Sequence, residues 1–354
     1  MSLPSDPVDK TGRVRPINDR PVNYGGDYVL HWMTAARRPR FNHALDRSAA
    51  WAKALGKPLV VVEALGLAHR WASARFHNFI IQGMACNAEA FAQAGVQYIP
   101  YVERGSGSSK GMIESLTSKA AIVITDDWPC FITPKIVSAL GRKSSVHVEA
   151  VDGAGLLPVS SVPKVFSRAF HFRNWHKKNI DQHLDRLSKK NPLTGLSASA
   201  GIDSEVLQQW NPVEKEELLN PLKWINGLPI DHEVSPVEAH PGGFHEANRR
   251  LSHFIENVLE RYGEGRNHPD QVSTSVLSPY LHFGHISSQE IWQQASGAEA
   301  GEQGDAFIDQ LITWRELGLN FCHYHTEVDT WESLPDWCRK TLEEHADDVR
   351  PVTY

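Results

Sequence analysis

The chain has 354 residues, 41% of them hydrophobic and 22% charged, with a formal net charge of −6. That length suggests about two domains, and the balance of apolar and charged residues excludes a disordered or collagen-like chain. The negative balance excludes a general attraction to nucleic acid, although phosphate binding depends on where cations sit as well as on their sum.

Residues 1–26 are rich in Pro, Asp, Asn and Arg and read as a flexible leader. They lack the apolar core of a secretory signal, which with the absence of a bilayer-length apolar run predicts a cytoplasmic protein with no membrane partner. From Tyr28 the rhythm changes. YVLHWM (28–33), PLVVVEAL (58–65), VQYIPYV (96–102), AAIVITDD (120–127) and SVHVEA (145–150) are short apolar runs rich in β-branched and aromatic residues, and read as strands. Helical patterns lie between them, as where Trp71, Phe76, Phe79, Ile80, Met84 and Phe91 recur near the 3.6-residue period. Strands alternating with helices predict a doubly wound, five-stranded parallel sheet over 27–160, in which ligands sit beyond the carboxyl ends of the strands.

Residues 161–235 read as a linker with short helices. From there to 354 the period is helical only. Phe244, Ala247, Leu251, Phe254, Ile255, Val258, Leu259 and Tyr262 form one apolar stripe, and Phe307, Leu311, Trp314, Gly318 and Phe321 form a second. The fold expected is therefore α/β followed by all-α.

Some motifs carry nothing. GSGSSKG (105–111) lacks the Gly-x4-Gly-Lys-Ser/Thr spacing of a phosphate-binding loop and reads as a solvated loop. Cys322, His323 and His325 diverge around a helix, and the four cysteines, Cys86, Cys130, Cys322 and Cys338, form no CxxC pair, so no metal site and no disulfide framework are expected. His31, ending the first strand, fits either a ligand edge or a packed interface.

The stretch TSVLSPYLHFGHIS (274–287) is different. Ser275 and Ser278 precede a helix predicted to begin near Pro279, where serine caps and proline is tolerated in the first turn. Free amides and hydroxyls at a helix start suit phosphate, although an ordinary capped helix explains the same residues.

This stretch, continued to TSVLSPYLHFGHISSQEIW, resembles the flavin-binding signature of the photolyase and cryptochrome family, and the chain looks like the class II cyclobutane pyrimidine dimer photolyases. YVLHWMTAARRPRFNHAL, ERYGEGRNHP (260–269), ITWRELGLNFCHY (312–324) and LPDWCRKTLEEHADDVRPVTY (334–354) carry the likeness from about Asp27 onward. The resemblance implies a helical domain that holds FAD, and a light-driven lyase that splits pyrimidine dimers in UV-damaged DNA by electron transfer from reduced FAD. Tyr262 and the segment Thr274, Ser275, Val276, Leu277 and Ser278 would hold the flavin's phosphate end. Gln310 and Trp314 would meet the flipped dimer as catalytic residues, although the apolar stripe alone favours Trp314 as core. Lys164, Arg168, Arg173, Lys177 and Lys178, within a basic cluster that also holds Arg186, Lys189 and Lys190, would contact DNA; taken alone, the cluster reads as a solvated helix face. An antenna chromophore would belong to the first domain, with no residue identifying it.

Two departures from the family pattern shape the expectations. Gln310 stands where many photolyases carry a glutamate, which leaves a cryptochrome-like blue-light sensor as the alternative. The resemblance also implies closing helices after Tyr354, so the helical domain is expected to be incomplete, to hold FAD weakly and repair dimers poorly, and to associate, if the monomer does, through its uncovered faces; a truncated, non-catalytic remnant with weak FAD binding is a further alternative.

Overall fold

A computed structural model of the chain describes residues 6–197, 201–325, 327–349 and 352. The five apolar runs form parallel strands: β2 (Tyr28–Met33), β3 (Leu59–Leu65), β4 (Gln97–Val102), β5 (Ala120–Asp126) and β6 (Val148–Val151). A sixth strand, β1 (Val14–Pro16), pairs antiparallel with β6, giving the order β1-β6-β5-β2-β3-β4. β1 lies inside the stretch read from sequence as a leader. That stretch is anchored further by Arg13, a buried guanidinium that donates to the carbonyls of Asp152, Gly155 and Leu156.

Both faces of the sheet are covered, as parallel strands require. Alternate side chains go opposite ways. Val29 and Met33 of β2 pack with Leu45, Trp51 and Phe91 of the helices His43–Leu55 and Ala74–Gln93. Leu30 and Trp32 pack with Met112, Leu116 and Leu140 of Met112–Ser118 and Thr133–Lys143.

Beyond β6 the described residues form helices and turns, with one isolated bridge between Ser73 and Asp231. The first predicted stripe is borne on the helix Phe244–Asn257 and the turns after it: Ala247, Leu251, Phe254, Val258, Leu259 and Tyr262 share one core with Leu277, Tyr280, Phe307 and Leu311.

The two units meet at Gly284 and His285. Gly284 has φ +76°, and a Cβ there would lie 1.8 Å from the Ala35 carbonyl oxygen; Arg38, itself buried, donates to the Gly284 carbonyl (3.0 Å). His285 is fully buried, stacks on Phe79 at 4.9 Å and accepts at Nδ1 from the Gly243 amide (2.9 Å). Gly83 leaves room for it, since a Cβ there would lie 2.3 Å from His285 Nε2.

Two outcomes follow for this seam. The left-handed conformation alone costs a non-glycine residue about 1–2 kcal/mol. Gly56, at φ +61° with open space around its Cβ position, should lose only that much as Gly56→Ala, whereas Gly284→Ala should lose clearly more in urea unfolding; equal losses would mean that the seam is loose.

Burial lowers the His285 imidazole from an ordinary value of 6.5 to about 3, with Arg37 and Arg38 adding repulsion. Between those values the unfolded chain carries the proton and the folded one does not, so this contribution to stability is complete above about pH 6.5 and is lost as pH falls. The limiting slope is about 1.4 kcal/mol per pH unit for one such group. His285→Gln should flatten the dependence of stability on pH between 6 and 4, and an unchanged slope would place that proton elsewhere.

Candidate functional site

The helical domain gathers four side chains that the sequence separates. Tyr262 opens the short helix Tyr262–Gly265, its ring packed edge-on against Phe254 and Phe307, so only 8% of it is exposed. One turn on, Arg266 sets its guanidinium 5.7 Å from the centre of the Tyr262 ring. Gln310 and Trp314 come from the chain's second apolar stripe. With the Gln310 amide turned so that its oxygen faces donors, Oε1 accepts from Arg266 Nη1 (2.8 Å) and from Trp314 Nε1 (3.2 Å).

The stripe does not run straight through this point. Residues Gln310–Trp314 form a π-helical turn between the helices Gly301–Asp309 and Arg315–Tyr324. Such a turn inserts an extra residue into the 3.6-residue count and is frequent at functional sites. Leu311, Ile312 and Thr313 are buried, Glu316, Leu319 and Asn320 follow, and Trp314 is turned outward with 52% of its surface exposed. Reading Trp314 as core therefore fails, because the period slips by one residue just before it.

The residues after the turn are structural. Arg315 donates to the Ala154 carbonyl (2.6 Å), Glu316 accepts from the Leu156 amide (2.6 Å), Asn320 accepts from the Phe166 amide (3.0 Å) and Tyr324 donates to the Val162 carbonyl (2.6 Å). These bonds tie the helix Arg315–Tyr324 to the segment 154–166, which leads into the basic region.

The basic residues are not alike. The helix Ala169–Asn179 turns Phe172 and His176 inward and exposes Lys177 and Lys178; Lys164 and Arg168, just before it, are exposed too. Arg173 is not a free cation, because it grips Asp309 with two hydrogen bonds (2.6 and 2.8 Å), holding that carboxyl below its ordinary range. Asp309 precedes Gln310 and also accepts from Thr313 Oγ1 (2.8 Å), so Arg173 fixes the base of the π turn. Lys189 and Lys190 lie farther along, the Lys189 amide donating to Asp46 (2.9 Å).

The stretch 274–287 divides in two. The helix starts at Ser278, one residue earlier than expected, and its cap is Leu277, so no serine hydroxyl caps it. Ser275 Oγ instead makes a long contact with the Leu277 amide (3.4 Å), and Val276 between them has φ +54°. Thr274 and Ser278 are exposed. This half adjoins the Tyr262 turn: a Cβ on Gly265 would lie 2.2 Å from the Ser273 hydroxyl. The second half, Gly284 to Ser287, belongs to the seam and to the cap of the helix Ser288–Ser296.

Arg266 was the residue not singled out by sequence. Its signal was available, a cation four residues after Tyr262 and therefore on the same helical face. Among the described residues no carboxylate lies within ion-pair reach of it, and its Nε is buried without an acceptor. An arginine without a carboxylate partner, next in sequence to the Gly265 that packs on Ser273 at the start of the 274–278 turn, is chemistry that suits a phosphate-bearing ligand.

Other candidate places are closed or separate. Asp126 at the end of β5 accepts from the amides of Thr34, Ala35 and Ala36 (2.7–3.1 Å), so these amides at the carboxyl edge of the sheet are already partnered. His31 is fully buried against Ser48 and lowered by burial to about 4, so it packs. The loop at 105–111 is tied by Glu103, which accepts from Gly107 N and Ser109 Oγ. Among the described residues no metal-binding group of His, Cys, Asp or Glu is found. A groove of about 530 Å³ lined by Arg40, Gln93, Asn191, Phe244 and His245 shares no residue with the Gln310 cluster.

No family model matches the chain. Among individual proteins, it is 30% identical over 342 residues to a deoxyribodipyrimidine photo-lyase of Methanothermobacter thermautotrophicus, covering 97% of this chain and 72% of that one. To the deoxyribodipyrimidine photo-lyase of Oryza sativa it is 29% identical, with 97% and 67% covered. A shorter stretch of 90 residues is 37% identical to Cryptochrome-2 of Arabidopsis thaliana. Two solved structures share the fold, a class III photolyase from Agrobacterium tumefaciens and a cryptochrome from Synechocystis, each with a TM-score of 0.63 over 86% of this chain, at 19% and 16% identity. The chain spans 60% and 63% of those two. With a likeness that runs through 97% of its length and a fold to match, this chain belongs to the photolyase and cryptochrome family.

Proposed function

We propose that the chain is a flavoprotein that binds FAD and repairs DNA in light, acting as a deoxyribodipyrimidine lyase on cyclobutane pyrimidine dimers. The observation that carries this reading is the Tyr262, Arg266, Gln310 and Trp314 cluster, with Trp314 half exposed and the helix whose Arg173 holds Asp309 alongside.

Tyr262 and the Thr274–Ser278 turn would hold the phosphate end of FAD, with Arg266 supplying positive charge nearby. When bound and reduced, FAD would supply the electron that light drives into the dimer. The chain's own residues do the rest. Trp314 offers a flat, half-exposed indole on which an extruded base can stack. Gln310 offers a hydrogen bond to that base. Lys164, Arg168, Lys177 and Lys178 meet backbone phosphates, while Arg173 positions the π turn instead.

A second reading is a blue-light sensor that keeps FAD without repairing DNA. Gln310 favours it, since an amide cannot lend the proton that a carboxyl group could.

The two readings separate in one experiment. The purified chain should carry flavin and, after chemical reduction, remove dimers from irradiated oligothymidine under blue light and not in darkness. Flavin without light-dependent loss of dimers would favour the sensor, and a chain that takes up no flavin would refute both.

Two variants test the parts. Ser275→Ala/Ser278→Ala should retain clearly less flavin after gel filtration than the parent, and equal retention would remove those hydroxyls from the site. Lys177→Ala/Lys178→Ala should weaken binding to damaged and undamaged duplex alike and reduce the slope of log affinity against log salt by about 1.8, if each lysine meets one phosphate. An unchanged slope would return both lysines to solvent.

A further inference from the structure

Gln310 is gripped on one side only. With the amide turned to face donors, its oxygen lies 2.8 Å from the Arg266 guanidinium and 3.2 Å from the Trp314 indole nitrogen. Both groups donate and neither accepts, so the reverse orientation would set the amide N–H2 against two other N–H groups. Arg266 is itself seated on the Tyr262 ring, which is packed edge-on against Phe254 and Phe307. The π turn fixes the other partner, because Gln310 and Trp314 are its first and last residues. A carboxylate at 310 could satisfy the same two donors and still show its second oxygen to a ligand. An amide cannot, since once its only oxygen is committed its remaining face consists of N–H donors.

We propose that Arg266 and Trp314 make Gln310 a donor-only contact, so that this position selects the carbonyl oxygens of a pyrimidine base and gives nothing to its imide N–H. The inference rests on the reading that a flipped pyrimidine dimer is bound over Trp314, and it narrows that reading to one base edge. Gln310 is the contact and Arg266 the positioning residue. Recognition here carries no charge and has no protonation step of its own.

The chemistry of thymine provides the test. Methylating N3 of both rings removes the imide donor and leaves every carbonyl in place. Affinity is measured by fluorescence anisotropy on the purified chain for three duplexes: undamaged, with one thymine dimer, and with the N3-methylated dimer. The parent should prefer both dimers over undamaged duplex to within about threefold of each other. Gln310→Glu, which restores an acceptor, should lose about tenfold or more on methylation, the scale expected when a buried partner is left unpaired. Arg266→Met frees the amide to turn and should acquire part of that sensitivity. A parent that loses about tenfold on methylation overturns the inference, since it would place an acceptor toward the base.

A parent with no preference for either dimer would defeat the functional reading, and the inference then stands or falls on the protein alone. The Trp314 indole N–H, assigned in 1H–15N spectra through Trp314→Phe, should exchange slowly with solvent and shift when Gln310 becomes Met. An indole signal unmoved by Gln310→Met would overturn the inference without any DNA.

Discussion

The close approach of Gly284 to the loop after β2 fixes where everything else can be. No side chain fits between Gly284 and the Ala35 carbonyl, so the helical domain sits directly on the carboxyl edge of the sheet. Ala35 is held from the other side, because the Asp126 carboxylate takes the amides of residues 34, 35 and 36. Three N–H groups on one carboxylate oxygen resemble what an anionic ligand receives at the switch point of a doubly wound sheet. Here those amides are taken by the protein's own carboxylate, which holds the loop on which Gly284 rests.

A second constraint runs through the segment 154–166. Glu316 and Asn320 must face the segment 154–166, where Gly155 leaves room for the Glu316 carboxyl, a Cβ there lying 2.7 Å from it. Phe307 and Leu311 must face the helical core. The π turn at Gln310–Trp314 lies between these two sets of contacts and offsets the residues after it from the stripe before it, and Trp314 comes out to solvent there with Gln310 beside it. Arg173 on Asp309 braces the start of the turn from outside.

The sequence was legible where one physical rule acted alone. β2 to β6 are runs of β-branched and aromatic residues buried on both faces, and such runs have few other readings. β1 was not legible, since three residues with Arg15 at their centre, ending in Pro16 and preceded by Arg13, carry no apolar pattern; their place depends on the edge of β6. The stripe through residue 311 was legible and then misled at Trp314, because periodicity assumes an unbroken period. Within 274–287 composition marked an unusual segment but could not divide it, as His285 looks polar in sequence and is in fact fully buried. Arg266 was missed because its importance lies in what surrounds it.

That surrounding is the strongest physical statement the site makes. Two other arginines, Arg40 and Arg104, also have a buried Nε without an acceptor, yet each pairs elsewhere on its guanidinium with a carboxylate, Glu290 at 2.7 Å and Glu217 at 2.8 Å. Arg266 has the neutral Gln310 amide and the face of Tyr262. A half-buried guanidinium with such partners is less well compensated than one with a carboxylate, and a fold that had only stability to satisfy would be better served by an acid nearby. An acid at 310 would provide it. With an amide there, no carboxylate among the described residues offsets the Arg266 charge, and the positive potential around it is left to solvent and to whatever anion approaches.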